Sequence, residues 1–127
     1  MKLLDTTFLI DLVNGVKETE PFLQEQLLFT TQINMFEFIR GLYLRKISKN
    51  KYLEMMELFD LIRVFPLDDS GTVKSAEISA TLYNKGIPID DGDCLTAGIA
   101  LSRGVTTIVT RNVDHFKRIK GVIVESY

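Results

Sequence analysis

Short apolar runs alternate with longer amphipathic segments along the chain. The short runs are aliphatic, aromatic or β-branched and end at turn residues or proline, which predicts β-strands. Apolar residues spaced three or four apart between them predict helices. The predicted strands cover residues 3–4, 27–31, 62–65, 106–109 and 122–124, and the predicted helices cover 6–13, 36–43, 53–59, 70–84 and 94–102.

Strands that are separated by helices need crossover connections, which favours a parallel sheet covered on both faces. We therefore predict an α/β fold with three layers, in which a mainly parallel, five-stranded sheet is flanked by helices. Pro21, Pro66 and Pro88 stand where segments begin or end, and no linker interrupts the 127 residues. Residues 1–127 are expected to form a single domain.

Composition narrows the class of protein. With 46% hydrophobic and 25% charged residues, the chain is too apolar to be intrinsically disordered. The net charge of −2 argues against binding nucleic acid through a global positive field. A single cysteine excludes an intrachain disulfide, and Asp5 and Asp11 interrupt the apolar N-terminus, unlike a signal peptide. We expect a cytoplasmic protein without a membrane segment.

Polar and acidic residues follow several predicted strands, where sheets of this class bind their ligands. Asp5 directly follows the first strand, while Asn112 and Asp114 follow the fourth. Helix capping explains one or two acids at such places, but three within four residues repel one another. That crowded group, ahead of the apolar helix 94–102, consists of Asp90, Asp91 and Asp93, of which Asp93 is the most interior.

Glu37 stands between two phenylalanines in an otherwise apolar segment. Asn34 and Glu37 have the spacing of a capping box, which predicts Asn34 as the N-cap and Glu37 at the third helical position. The alternative is a site carboxylate, because an unpaired charge on an apolar element is costly unless a cation compensates it. Both interpretations stay open at this point.

Acids that follow different elements of one sheet edge favour a shared cation site. Carboxylate oxygens suit Mg²⁺ and Mn²⁺, and such ions can hold a phosphodiester and activate water for its hydrolysis. Two alternatives remain: a non-catalytic interaction module whose acids only cap helices, and a different metal-dependent nuclease that acts on DNA. His115, next to Phe116, is interpreted as a structural side chain.

Four short motifs resemble those of the PIN-domain family in order and spacing. They are Leu4-Asp5-Thr6-Thr7, Asn34-x-x-Glu37-x-x-x-Gly41, Asp93-Cys94-Leu95-Thr96-Ala97 and Thr110-Arg111-Asn112-x-x-His115-Phe116-x-x-Ile119-x-Gly121. The similarity spans essentially the whole chain and is greatest to the VapC-type branch of toxin–antitoxin ribonucleases. It implies a five-stranded parallel sheet and an endoribonuclease that uses Mg²⁺, with Mn²⁺ able to substitute.

The resemblance also implies roles for individual residues. Asp5, Glu37 and Asp93 fall on the family's catalytic, metal-binding acids. Asp90 and Asp114 are further candidate metal ligands, with Asn112 competing with Asp114 for the position after the fourth strand. The supporting residues are Thr7, Asn34 and Asn112, and the basic residues expected to position RNA are Arg111, Lys117 and Arg118.

Residues 52–65 are more apolar than one buried helix face requires. Together with Phe36, Phe38 and Tyr43 they predict an exposed apolar groove, unless these side chains simply fill the core. The resemblance implies that the chain forms a homodimer and that this groove holds an antitoxin peptide. The expected partners are thus RNA, a cognate antitoxin and a second copy of the chain.

Overall fold

The computed structural model describes residues 1–127 and contains one five-stranded parallel sheet. All five predicted strands are confirmed to within one residue at each end. The strands are β1 (Lys2–Leu4), β2 (Leu28–Thr31), β3 (Arg63–Phe65), β4 (Thr107–Val109) and β5 (Ile123–Glu125), in the order β3-β2-β1-β4-β5.

Six helices connect the strands: α1 (Thr6–Val13), α2 (Gln32–Leu44), α3 (Lys49–Leu61), α4 (Asp69–Asn84), α5 (Asp91–Ser102) and α6 (Val113–Phe116). The sequence did not predict α6 or a 3₁₀ segment at Lys17–Gln24. Both are too short or too polar to display a full apolar period, since KETEPFLQ carries charges and Pro21 within eight residues.

The sheet separates two apolar layers, as the three-layer prediction requires. Successive side chains of a strand point to opposite faces, and both Leu3 and Leu4 are fully buried, in different clusters. Leu3 packs with residues of α4 and α5, whereas Leu4 packs with residues of α1, α2 and α3. No helix is long and apolar enough to span a bilayer.

Helices α4 and α5 pack closely on one face of the sheet. A Cβ on Gly98 of α5 would lie 2.0 Å from Ser75 Oγ and 2.7 Å from Ser75 Cα of α4. Only glycine leaves room for this contact, which brings the backbones of α4 and α5 close together. α4 ends at Asn84, and the chain turns away at Gly86, whose φ of +73° is a left-handed conformation that glycine adopts without strain.

The chain builds outward from β1 in both directions, through β2 to β3 on one side and through β4 to β5 on the other. Because the order reverses between β1 and β4, the loops that follow these two strands diverge and leave a crevice. The register pairs Leu4 with Val109, so the residues after both strands lie side by side at its mouth.

The predicted apolar groove is present in part. Phe38 is 2% exposed and belongs to the core, so its expected place in a groove is wrong. Phe36 and Tyr43 of α2 are exposed, as are Leu53 and Leu61 of α3. Two shallow cavities of about 370 and 380 Å³ lie along these helices, and Tyr43 lines both.

Candidate metal centre

Asp5 lies at the carboxyl end of β1 and accepts three hydrogen bonds. Thr7 Oγ1 donates to Asp5 Oδ1 at 2.7 Å, and the backbone N–H of Phe8 donates to the same oxygen at 3.0 Å. Thr110 Oγ1, beyond β4, donates to Oδ2 at 2.5 Å. Asp5 therefore caps α1 through Oδ1 while Oδ2, with a lone pair remaining, faces the crevice between β1 and β4.

The carboxylate of Asp5 is buried without a cationic partner. The residue is 2% exposed and makes no salt bridge. Burial raises the pKa of Asp5 to about 6, and the negative charge of Asp93 adds to the effect, although the three hydrogen bonds oppose it. A divalent cation would offset this cost, so the oxygen donors here fit Mg²⁺ or Mn²⁺.

Asp93 is held by two side chains from the segment after β4. Asn112 Nδ2 donates to Asp93 Oδ2 at 3.0 Å, and His115 Nδ1 lies 2.7 Å from the same oxygen. Burial raises the pKa of Asp93, while His115 and Asn112 lower it. The backbone N–H of Asn112 donates to Thr110 Oγ1 at 2.8 Å, so one loop positions both Asp5 and Asp93.

Glu37 reaches the same crevice from α2. Thr6 Oγ1 donates to Glu37 Oε1 at 2.9 Å, and Asn34 Nδ2 donates to Thr6 Oγ1 at 3.0 Å. A Cβ on Gly92, in the first turn of α5, would lie 3.4 Å from Glu37 Oε2. Glu37 is therefore an exposed carboxylate beside the turn that carries Asp93, rather than one enclosed by apolar neighbours.

The predicted capping box is wrong. α2 begins at Gln32 with Thr31 as its N-cap, and Thr31 Oγ1 accepts the backbone N–H of Asn34 at 3.2 Å. Because Thr31 supplies the cap three residues earlier, the Asn34 amide can donate to Thr6 and, at 3.1 Å, to Thr96 Oγ1. Asn34 thus supports Glu37 through Thr6 instead of capping the helix.

Asp90, Asp93 and His115 form a group whose ligand atoms all lie within 4.8 Å of one another. The structure does not bring Asp114 into this group. Its exposed carboxylate pairs with Lys117 Nζ at 2.8 Å, which lowers the pKa of Asp114. Neighbouring residues of a helix point in directions about 100° apart, and on α6 it is His115 that turns toward Asp93.

His115 is the site residue that the sequence reasoning missed. Its position next to an apolar residue indicates packing, and Phe116 is indeed fully buried. The useful signal was the spacing Asn112-x-x-His115. Residues three apart share a face of a helical turn. Because Asn112 contacts Asp93, His115 on the same face also reaches Asp93.

The PIN domain family model matches residues 2–122. The chain belongs to the PIN domain family. Curated relatives of this PIN domain include the tRNA(fMet)-specific endonuclease VapC of Salmonella typhimurium, 31% identical over 98 residues, or 76% of this chain and 73% of the relative. A VapC ribonuclease of Pyrococcus furiosus is 35% identical over 74 residues, or 58% of this chain and half of the relative.

Solved structures agree with the fold of this PIN domain. The DNA-bound VapBC complex of Salmonella typhimurium contains a chain with a TM-score of 0.83 and 29% identity, over 98% of this chain and 96% of that one. VapBC2 of Rickettsia felis, bound to a promoter DNA fragment, gives a TM-score of 0.84 at 22% identity, over 99% and 98% of the two chains. The predicted family and fold are confirmed.

The three basic residues expected to position RNA all follow β4 in this PIN domain. Lys117 pairs with Asp114, and Arg118 donates to the Pro88 carbonyl at 3.1 Å. The guanidinium of Arg111 donates to Asp11 Oδ1 at 3.0 Å, and its backbone N–H donates to Thr7 Oγ1 at 3.0 Å.

The second oxygen of the Asp11 carboxylate also accepts a hydrogen bond. Tyr127 Oη donates to Asp11 Oδ2 at 2.6 Å, and burial together with this contact raises the pKa of the tyrosine. Asp11 is 6% exposed, whereas the side chain of Arg111 is 62% exposed. Asp11 therefore anchors Arg111 at the rim of the crevice while most of its guanidinium faces solvent.

Proposed function

We propose that this PIN domain, residues 1–127, is a Mg²⁺- or Mn²⁺-dependent endoribonuclease and the toxin of a type II toxin–antitoxin pair. The observation that carries the proposal is the buried carboxylate of Asp5 at the carboxyl end of β1, whose pKa the negative charge of Asp93 helps to raise, while Glu37 lies beside the turn that carries Asp93. Asp5 is a buried acid without a counter-charge, which a purely helix-capping role does not require. The similarity of the chain to a tRNA-specific endonuclease and to a VapC ribonuclease supports ribonuclease activity.

The residues of the chain divide the work of phosphodiester hydrolysis. When bound, the divalent cation supplies positive charge to the scissile phosphate and promotes ionisation of water. Asp5 and Asp93 would hold the cation, and Thr7, Thr110 and Asn112 fix the orientations of these two carboxylates by hydrogen bonds. Glu37, which is exposed, accepts the proton of the attacking water.

A basic groove gives RNA a path away from the crevice. It lies between α4 and the connection from α6 to β5, and has a volume of about 410 Å³. Its charged lining consists of Lys74, Lys85, Arg118 and Lys120 against the single acid Glu77. A local excess of cations suits a phosphate backbone although the whole chain carries a net charge of −2.

The exposed apolar side chains of α2 and α3 are where we place the protein partners. Phe36, Tyr43 and Leu61 are each more than 60% exposed, which is unusual for large apolar residues and typical of interfaces. The similar solved structures are toxin–antitoxin complexes, which supports an antitoxin as one partner. A second copy of the chain is the other, and light scattering that shows a monomer at micromolar concentration would exclude it. The cytoplasmic location stays a prediction.

Cleavage of a structured RNA and of DNA of the same sequence tests the activity. We expect RNA cleavage in Mg²⁺ or Mn²⁺, none in EDTA, and a loss of about 100-fold or more in Asp93→Asn, since even outer residues of metal sites contribute 10- to 100-fold. Asp60→Asn, which removes an exposed acid of α3, is the matched control and keeps full activity.

The products and the substrate preference separate the alternatives. Hydrolysis by activated water leaves a 5′-phosphate and a 3′-hydroxyl, whereas a 2′,3′-cyclic phosphate contradicts the mechanism. Equal cleavage of DNA favours a general nuclease, and intact RNA with no metal binding favours an interaction module. Growth arrest on expression that disappears in Asp93→Asn tests the toxin role.

A further inference from the structure

The side chains of His115, Asp93 and Asn112 converge at one point of the crevice. His115 Nδ1 lies 2.7 Å from Asp93 Oδ2 and 2.9 Å from Asn112 Nδ2, and the latter lies 3.0 Å from Asp93 Oδ2. Asp90 contributes a carboxylate oxygen within 4.8 Å of both the histidine nitrogen and the Asp93 oxygen. At 2.7 Å, Nδ1 and Oδ2 attract one another only when a proton on Nδ1 or a cation lies between them.

A divalent cation can take the place of that proton. In octahedral coordination with bonds of about 2.1 Å, adjacent ligands lie about 3 Å apart and opposite ligands about 4.2 Å apart. The Nδ1–Oδ2 separation fits two adjacent positions, and the Asp90 oxygen lies within reach of a third. His115 is only partly exposed, with 27% of its side chain accessible, so its ring is already oriented toward this point.

We propose that His115 is a metal ligand, which binds through Nδ1 beside Asp93 and Asp90, and that it makes this centre select a first-row transition ion such as Mn²⁺ over Mg²⁺. Mg²⁺ strongly prefers oxygen ligands, whereas imidazole nitrogen is a ligand of the transition series. The inference rests on the proposed function and deepens it, because Asp93 is a metal ligand in both proposals. It concerns which ion binds, and not whether RNA is cleaved.

The intact chain, prepared without a tag, carries a single histidine, so a nitrogen signal from bound metal has one source among its imidazoles. Electron spin-echo spectroscopy of the Mn²⁺-loaded chain detects ¹⁴N that is bonded directly to the ion. We expect this modulation in the wild-type chain and its replacement by the ¹⁵N pattern after labelling with ¹⁵N-histidine. Absence of the modulation, or its indifference to the label, overturns the proposal without any variant.

Calorimetric titration with Mn²⁺ and with Mg²⁺ measures the selectivity. We expect His115→Gln to weaken Mn²⁺ binding about 10-fold or more while Mg²⁺ affinity changes less than about 3-fold. Equal losses for both ions would mean that His115 only orients Asp93, and no loss would mean that it has no role; either result overturns the proposal. Asp60→Asn again serves as the control and should bind both ions as the wild type does.

These measurements are independent of catalysis. If the nitrogen signal is present and RNA stays intact, the proposed function fails while the metal assignment stands. If RNA is cleaved without a nitrogen signal, the assignment of His115 fails and the ribonuclease stands.

Discussion

Replacing Asp5 by asparagine should stabilise the metal-free protein at neutral pH, although it removes a residue from the centre of the site. The amide oxygen can still accept from Thr7 and from the Phe8 backbone, as Oδ1 does now. The new NH₂ group can donate to Thr110 Oγ1, whose hydroxyl proton then turns toward Thr7 Oγ1, 3.4 Å away. The variant keeps the cap and loses only the buried charge.

The size of the effect follows from the pKa of Asp5. A rise from the ordinary 3.8 to about 6 corresponds to about 3 kcal/mol, at 1.36 kcal/mol per pKa unit. Below pH 3.8 the carboxyl is protonated in both the folded and unfolded states, and folding incurs no penalty. Between pH 3.8 and 6 only the unfolded state releases the proton, so the free energy of unfolding falls as the pH rises and then stays lower.

Urea denaturation in EDTA at pH 4 and at pH 7.5 measures this difference. Asp5→Asn should gain about 2–3 kcal/mol relative to the wild type between the two pH values, and subtracting the two proteins cancels the titration of all other groups. If the relative stability of the variant stays constant or falls, Asp5 is not held as a costly buried charge, and the main argument for a compensating cation is lost.

Three further outcomes follow from the same contacts. Gly98→Ala should destabilise the chain by about 3 kcal/mol or more in thermal denaturation, because its Cβ meets the backbone of Ser75, whereas Gly41→Ala, in open space on α2, should stabilise it by about 0.5–1 kcal/mol. Tyr127→Phe keeps the ring packing and loses one hydrogen bond to Asp11, so urea denaturation should show a loss of about 1 kcal/mol. Mn²⁺ at 100 times its Kd should raise the free energy of unfolding of the wild type by about 2.7 kcal/mol, and thermal shift should show little of this gain in Asp5→Asn.

The order of the elements and the position of Asp5 beside the segment after β4 could be predicted from the sequence, because apolar periodicity specifies the strands and a parallel sheet brings their carboxyl ends together. The N-cap of α2 and the role of His115 could not be predicted, because in each case two nearby residues suit the same position. Thr31 and Asn34 are both good N-caps, and only the tertiary contacts of Asn34 with Thr6 and Thr96 decide between them. Likewise Asp114 and His115 are equally polar neighbours, and the direction of the short helix α6 alone determines which one meets Asp93.

Tyr127 lies two residues beyond the edge strand β5, yet its hydroxyl is bound to Asp11 of α1, and Asp11 in turn holds Arg111. The Thr110 backbone N–H also donates to the Glu125 carbonyl of β5 at 3.0 Å. Edge strands are usually the first part of a sheet to open, but here fraying of β5 would release both the loop that positions Asp5 and Asp93 and the arginine at its rim. The edge of the sheet and the proposed metal site therefore form one cooperative unit, whose amides should lose or retain their protection from hydrogen exchange together.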